Sequence, residues 1–135
     1  MAKTKFTAEY EIRASKKMLY PYLHSASGLS QWFADDVNIN EDKEFIFQWD
    51  GREHIAKPVS QRTNHHVKFE FQSDNGDDED EDDESPAYLE FRLEQNELTQ
   101  SVFLKVTDYS DTGDEEELED LWEGLVGNLK EIVGG

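Results

Sequence analysis

Residues 114–133, DEEELEDLWEGLVGNLKEIV, carry Leu118, Leu121, Trp122, Leu125, Val126, Leu129, Ile132 and Val133 at steps of three and one. That spacing puts the apolar side chains on one face of a 3.6-residue helix and predicts a long C-terminal helix. The carboxylates of residues 114–117 suit the positive end of its dipole, and Thr112 with Glu115, or Asp114 with Glu117, can form a capping box. Lys130 stands in the closing turns, and Gly134 and Gly135 supply the stop. An apolar stripe of this length needs a partner surface.

Upstream, the period changes to two. Over residues 5–13, Phe6, Ala8, Tyr10 and Ile12 alternate with polar neighbours, the pattern of a half-buried strand. Ser15 can cap a short helix reaching Leu23, in which Pro21 is a misfit that a start nearer Ala14, or a kink, would absorb. Ser27 or Gly28 can open a second short helix carrying Leu29, Trp32 and Phe33. Strand-like runs then follow at 37–40, 44–49, 53–61, 67–72, 87–94 and 98–107. Asp50-Gly51 reads as a hairpin turn, Pro58 as an edge or a bulge, Asn64 and residues 95–97 as turns. Phe45, Phe47 and Trp49 share a face, as do Val67, Phe69 and Phe71, then Leu89, Phe91 and Leu93, then Val102, Leu104 and Val106. A meander with one apolar face and a helix with one apolar stripe satisfy each other if the sheet curls around the helix. The expected class is therefore α+β with a helix-grip arrangement: a curved antiparallel sheet of about six or seven strands around a long C-terminal helix, with two short helices after the first strand.

The chain of 135 residues is expected to form one domain, 1–135, broken by an acidic loop at 73–85 that contains eight consecutive carboxylates at 77–84. Thirteen Lys and Arg against 32 Asp and Glu give a net charge of −19, which opposes nucleic acid and anionic membrane surfaces as partners. Cysteine is absent, removing thiolate nucleophiles and thiolate metal sites. No run is long and apolar enough for an integral membrane segment, and the expected location is cytoplasmic.

The run LYPYLHSASGLSQWFADDV, residues 19–37, is similar to the stretch that follows the first strand in the START-like, Bet v-like (SRPBCC) superfamily, where a small helical pair ends in Trp-Phe. It resembles best the branch related to activators of the heat-shock chaperone ATPase, as does the terminal LWEGLVGNLKEIV. Ala14-Ser15-Lys16 replaces the family's usual apolar-proline step, and the acidic run is foreign to its pattern. The resemblance implies a hydrophobic ligand held between sheet and helix, with catalysis in a minority of members. By position it carries over only Trp32, Phe33 and Trp122.

The candidate ligand pocket comprises Tyr10, Trp32, Phe33, Phe47, Trp49, Phe69, Phe71, Phe91, Leu104, Leu118, Trp122, Leu125 and Val126, and the competing reading is that these side chains simply fill the interior. Gly124 and Gly127 each cost a helix about 1 kcal/mol, and close packing against a strand is the expected reason. Tyr10 and His24 are the polar groups to consider for orienting a ligand or moving a proton. His65 and His66, adjacent on a strand, should point to opposite faces, and His54 lacks a partner at ligand spacing. Asp108, Ser110, Thr112, Gly113 and Glu119 match a loosened calcium-loop spacing by coincidence. With no nucleophile elbow, phosphate loop or dinucleotide fingerprint, no catalytic residue, metal or cofactor is expected. The leading expectation is non-enzymatic binding of a hydrophobic small molecule or lipid. A protein partner met through the acidic surface comes second, and a cyclase- or dehydratase-type enzyme third.

Overall fold

A computed structural model of the chain describes residues 3–49, 51–72, 86–110 and 113–134. β1 (Thr4–Ile12) is followed by α1 (Lys16–His24) and α2 (Ala26–Trp32). Then come β2 (Asp36–Ile39), β3 (Phe45–Trp49), β4 (Arg52–Arg62), β5 (His66–Phe71), β6 (Tyr88–Gln95) and β7 (Val102–Ser110), before the terminal α3 (Glu115–Val133). All seven strands form one antiparallel sheet in the order β1-β7-β6-β5-β4-β3-β2. The meander β2–β7 therefore runs back until its last strand, β7, pairs with β1, and the helices cover one face. This is the α+β helix-grip arrangement that the two periodicities predict.

Alternation decides which side of each strand is inside. Phe6 and Ile12, Phe45 and Phe47, Val67 and Phe69, Leu89, Phe91 and Leu93, and Val102, Leu104 and Val106 are all buried. Pro58 sits on an interior strand, and a register shift between Pro58 and Ser60 absorbs its missing N–H as a bulge. Asn64 makes its turn with a φ of 61°. The last strand begins at Val102 and not at residue 98: Leu98 lies in the preceding turn and is 94% exposed. Asp50 of the β3–β4 turn lies outside the described residues, as do residues 73–85.

The helical pair keeps the expected cap on its first helix and departs from expectation on its second. Ser15 accepts from the Met18 N–H, so α1 starts at Lys16, and Pro21 remains inside the helix on its exposed side. Ser25, ahead of the expected Ser27 or Gly28, caps α2 by accepting from the Gly28 N–H, while donating its own hydroxyl proton to the Pro21 carbonyl at 2.7 Å. The two helices cross at Gly28. A Cβ built there would stand 2.2 Å from the Pro21 oxygen and 2.6 Å from the Tyr22 Cα, so only glycine permits this approach.

In α3 the capping box is formed by Asp114 with Glu117, Thr112 lying outside the described residues, and Gly134 ends the helix at a φ of 85°. Its buried stripe is narrower than the sequence suggests. Leu118, Trp122, Val126 and Leu129 are buried, Leu125 and Val133 partly so, but Leu121 and Ile132 are exposed. The helix packs on β1 and α2, which cannot cover so wide a face. Gly124 and Gly127 are not packed against a strand: a Cβ at either meets nothing within 4 Å.

Two substitutions should therefore move stability in opposite directions. Gly28→Ala must push the α1 and α2 backbones apart and should cost about 2 kcal/mol or more. Gly124→Ala should stabilise by about 0.5–1 kcal/mol. Urea unfolding of the two variants beside the parent chain measures both, and a stable Gly28→Ala would refute the close crossing.

Candidate functional site

The expected pocket residues divide into a filled floor and a half-open belt. Trp32, Phe47, Phe69, Phe91, Leu104, Leu118, Trp122 and Val126 are buried, whereas Tyr10, Phe33, Trp49, Phe71 and Leu125 remain partly accessible. Phe33, the C-cap residue of α2, brings the belt to the floor. Its ring lies 5.6 Å from Trp122 in a stacked arrangement, and edge-on to Phe47 at 5.3 Å and Phe91 at 6.0 Å. Trp49 closes β3, with its ring 5.3 Å from Phe33, 6.4 Å from Phe71 and stacked on His54 at 4.4 Å. Phe71 ends β5 above Phe47 at 5.9 Å. The ends of β3 and β5, with Phe33 at the end of α2, thus present a continuous row of ring faces and edges.

Each buried tryptophan also fixes a helix. The Trp32 Nε1–H donates to the Tyr22 carbonyl at 2.8 Å and ties α2 to α1. The Trp122 Nε1–H donates to Asp108 Oδ2 at 2.8 Å and ties α3 to β7. Asp108 continues the inward positions of Val102, Leu104 and Val106, pairs with Phe6 on one side and Leu89 on the other, and places a carboxyl group in the apolar interior. Burial pushes its pKa up, against the lowering effect of hydrogen bonds from Trp122 and Ser110. Sequence reading considered Asp108 only for calcium. The signal that could have marked it is its place one step beyond Val106 in the inward register. Among the described residues, no group of three or more His, Cys, Asp or Glu could hold a metal ion.

Tyr10 does face inward, paired with Leu104. Burial raises its pKa, as do the carboxylates of Glu123 and Glu119 on α3. His24 is engaged elsewhere. It stacks on Tyr20 at 4.4 Å, whose hydroxyl donates to the His66 carbonyl, and burial lowers its pKa. The expectation for His65 and His66 is overturned: His65 belongs to the turn before β5, so its ring swings towards its neighbour until the two Nδ1 atoms lie 2.7 Å apart. The His66 Nε2 is meanwhile 3.0 Å from Ser60 Oγ.

The Asp108 environment makes stability depend on pH in a defined direction. The folded chain holds this proton more tightly than the unfolded chain, so its contribution is full below the unfolded carboxylate pKa of about 4 and is lost as pH rises through the higher folded value. Asn at 108 can still accept from Trp122 and never ionises. Asp108→Asn should therefore gain stability relative to the parent as pH rises above about 4, and a pH-independent difference in urea unfolding would refute this.

Comparisons with known proteins place this geometry. The family model described as a START-like superfamily domain matches residues 1–135. A Bacteroides fragilis protein of known solution structure is 30% identical, over 98% of this chain and 92% of its own, with a TM-score of 0.59. The Aha1 dimer from Colwellia psychrerythraea is 18% identical, over 96% and 95% of the two chains, with a TM-score of 0.72. A putative protein of the dynemicin biosynthetic locus is 12% identical over 94% of this chain and 46% of its own, at a TM-score of 0.70, a likeness of fold alone. No curated protein gives a significant match. Matched along its whole length and carrying the seven-stranded sheet, the helical pair ending in Trp32-Phe33 and the terminal helix, the chain belongs to the START-like superfamily.

Proposed function

We propose that the chain binds a hydrophobic small molecule or lipid, without catalysis, at the aromatic belt of Phe33, Trp49 and Phe71, where the cleft between sheet and terminal helix opens. The observation that supports this reading is the belt itself: three partly accessible rings, with Trp49 in contact with both Phe33 and Phe71, backed by the buried Phe47, Phe91 and Trp122. Large side chains left half in water lose part of the stabilisation that full burial would give, about 25 cal/mol for each Å² still exposed, and an apolar ligand laid across them recovers it. The ligand lies on the floor and not within it, because the floor rings are already in contact. A second reading, a protein-interaction module, draws on the net charge of −19 and on the fold likeness to the Aha1 dimer. Contact through charge weakens with added salt, whereas binding at the belt does not. Among the described residues no helix is long and apolar enough to cross a membrane.

Two tryptophan variants separate belt from floor. Trp49→Ala should lower affinity for the apolar fluorophore 1-anilinonaphthalene-8-sulfonate about tenfold, the loss of about 1.4 kcal/mol of contact, while the chain stays folded. Trp122→Ala should cost about 3–5 kcal/mol of stability through the cavity it leaves and the unpaired Asp108. Native mass spectrometry of freshly purified protein supplies the natural ligand as an added mass lost on unfolding. Unchanged fluorophore affinity in folded Trp49→Ala removes the belt as the site.

A further inference from the structure

The sheet's other face carries a row of basic side chains that the cleft does not use. Reading the register across the strands, Lys105 of β7 stands beside Arg92 of β6, Arg92 beside His66 of β5, and His66 beside Arg62 of β4. At about 4.8 Å between strands, these four side chains span about 14 Å. Like charges directly opposite one another in a sheet are destabilising. The chain has only 13 Lys and Arg against 32 acidic residues, so nothing in its composition forces them together. Glu9 stands beyond Lys105 at one end of the row, and Glu90 pairs with Arg92 at 3.0 Å, which offsets part of the repulsion. The field is still positive at the far end: after burial, the causes that lower the His65 pKa are His66, Arg62, Arg92 and Lys16.

The row borders a shallow hollow of about 210 Å³, lined by Lys5, Arg92, Lys105 and Tyr88 together with Glu90 and two threonines. Tyr88 packs on Tyr109 at 5.4 Å, and the Lys68 ammonium sits 4.3 Å over its face. Arginine and tyrosine are the residue types that anchor protein interfaces.

We propose that this outer face docks an acidic, extended segment of a partner protein, laid across the strands with its carboxylates on the row from Lys105 to Arg62. Charge complementarity selects that occupant. Glu90 and Glu94 flank Arg92 along β6, so a compact polyphosphate, charged on every side, meets carboxylates on both flanks. An extended chain can turn its carboxylates to the row alone. Nucleic acid and anionic bilayers, charged over areas much wider than this row, meet the net −19 of the rest of the surface.

The test is fluorescence anisotropy of a labelled hexaglutamate peptide at low salt. The parent chain should bind, the affinity should fall as salt is added, and Arg92→Gln with Lys105→Gln should weaken it about tenfold or more. Arg62→Gln with His66→Gln, at the opposite end of the row, gives an independent second reading with the same expected loss. Lys17→Gln, on α1, should leave it unchanged. Equal binding by both double variants and the parent overturns the proposal. Tighter binding of inorganic triphosphate or single-stranded DNA than of the peptide overturns the assigned occupant.

Discussion

The hydrogen bond from the Trp122 indole to Asp108 is the contact on which the arrangement of the cleft depends. A long helix laid on a sheet by its apolar stripe alone can rotate or slide at small cost, because dispersion contacts are non-directional. The indole N–H removes that freedom. Buried in an aromatic cluster, it must find an acceptor or forfeit its desolvation cost, and the inward carboxyl of β7 is in position to serve. The bond fixes both the rotation and the height of α3, and with them the surface against which Phe33 stacks.

The helical pair repeats this logic on a smaller scale. Trp32 donates to the Tyr22 carbonyl, and the glycine crossing at residue 28 lets α2 approach α1 closely enough for that bond. The chain leaves α2 at Phe33, which is delivered between Trp122 on one side and Trp49 on the other. The half-open belt is thus a consequence of two tryptophans fixing three helices. Beside Phe33, the belt's accessible rings close strands β3 and β5, where no further residue of the same strand covers them.

The two faces of the sheet show opposite solutions to side-chain crowding. Inside, large rings interlock and the Asp108 carboxyl has its pKa raised by burial. Outside, Lys105 and Arg92 stand side by side in a chain of net charge −19, an arrangement whose repulsion the pair between Arg92 and Glu90 offsets in part. Function on this scaffold can therefore be divided between faces that share a backbone but differ in dielectric: apolar contact in the cleft, charge contact on the outer surface.

The periodicities of two and 3.6 determined the architecture by themselves, because burying one face of each element leaves a sheet curled on a helix as the solution. The Trp-Phe step and the leucine-rich terminus likewise carried the family, and alternation placed Phe47, Phe69 and Phe91 inside. Spacing could not reveal which member of an apolar stripe finds a partner. Leu121 and Ile132 share the stripe's period but lie beyond the width that β1 and α2 cover. Nor could it tell that Gly28 and not Gly124 is the closely packed glycine, since that depends on how near another backbone comes. The pairing of Asp108 with Trp122 and the row from Lys105 to Arg62 escape the sequence for the same reason. Asp108 and the members of the row are ordinary polar residues along the chain, and their meaning arises only when the register sets them beside residues distant in sequence, in an environment that burial or like charge has made costly.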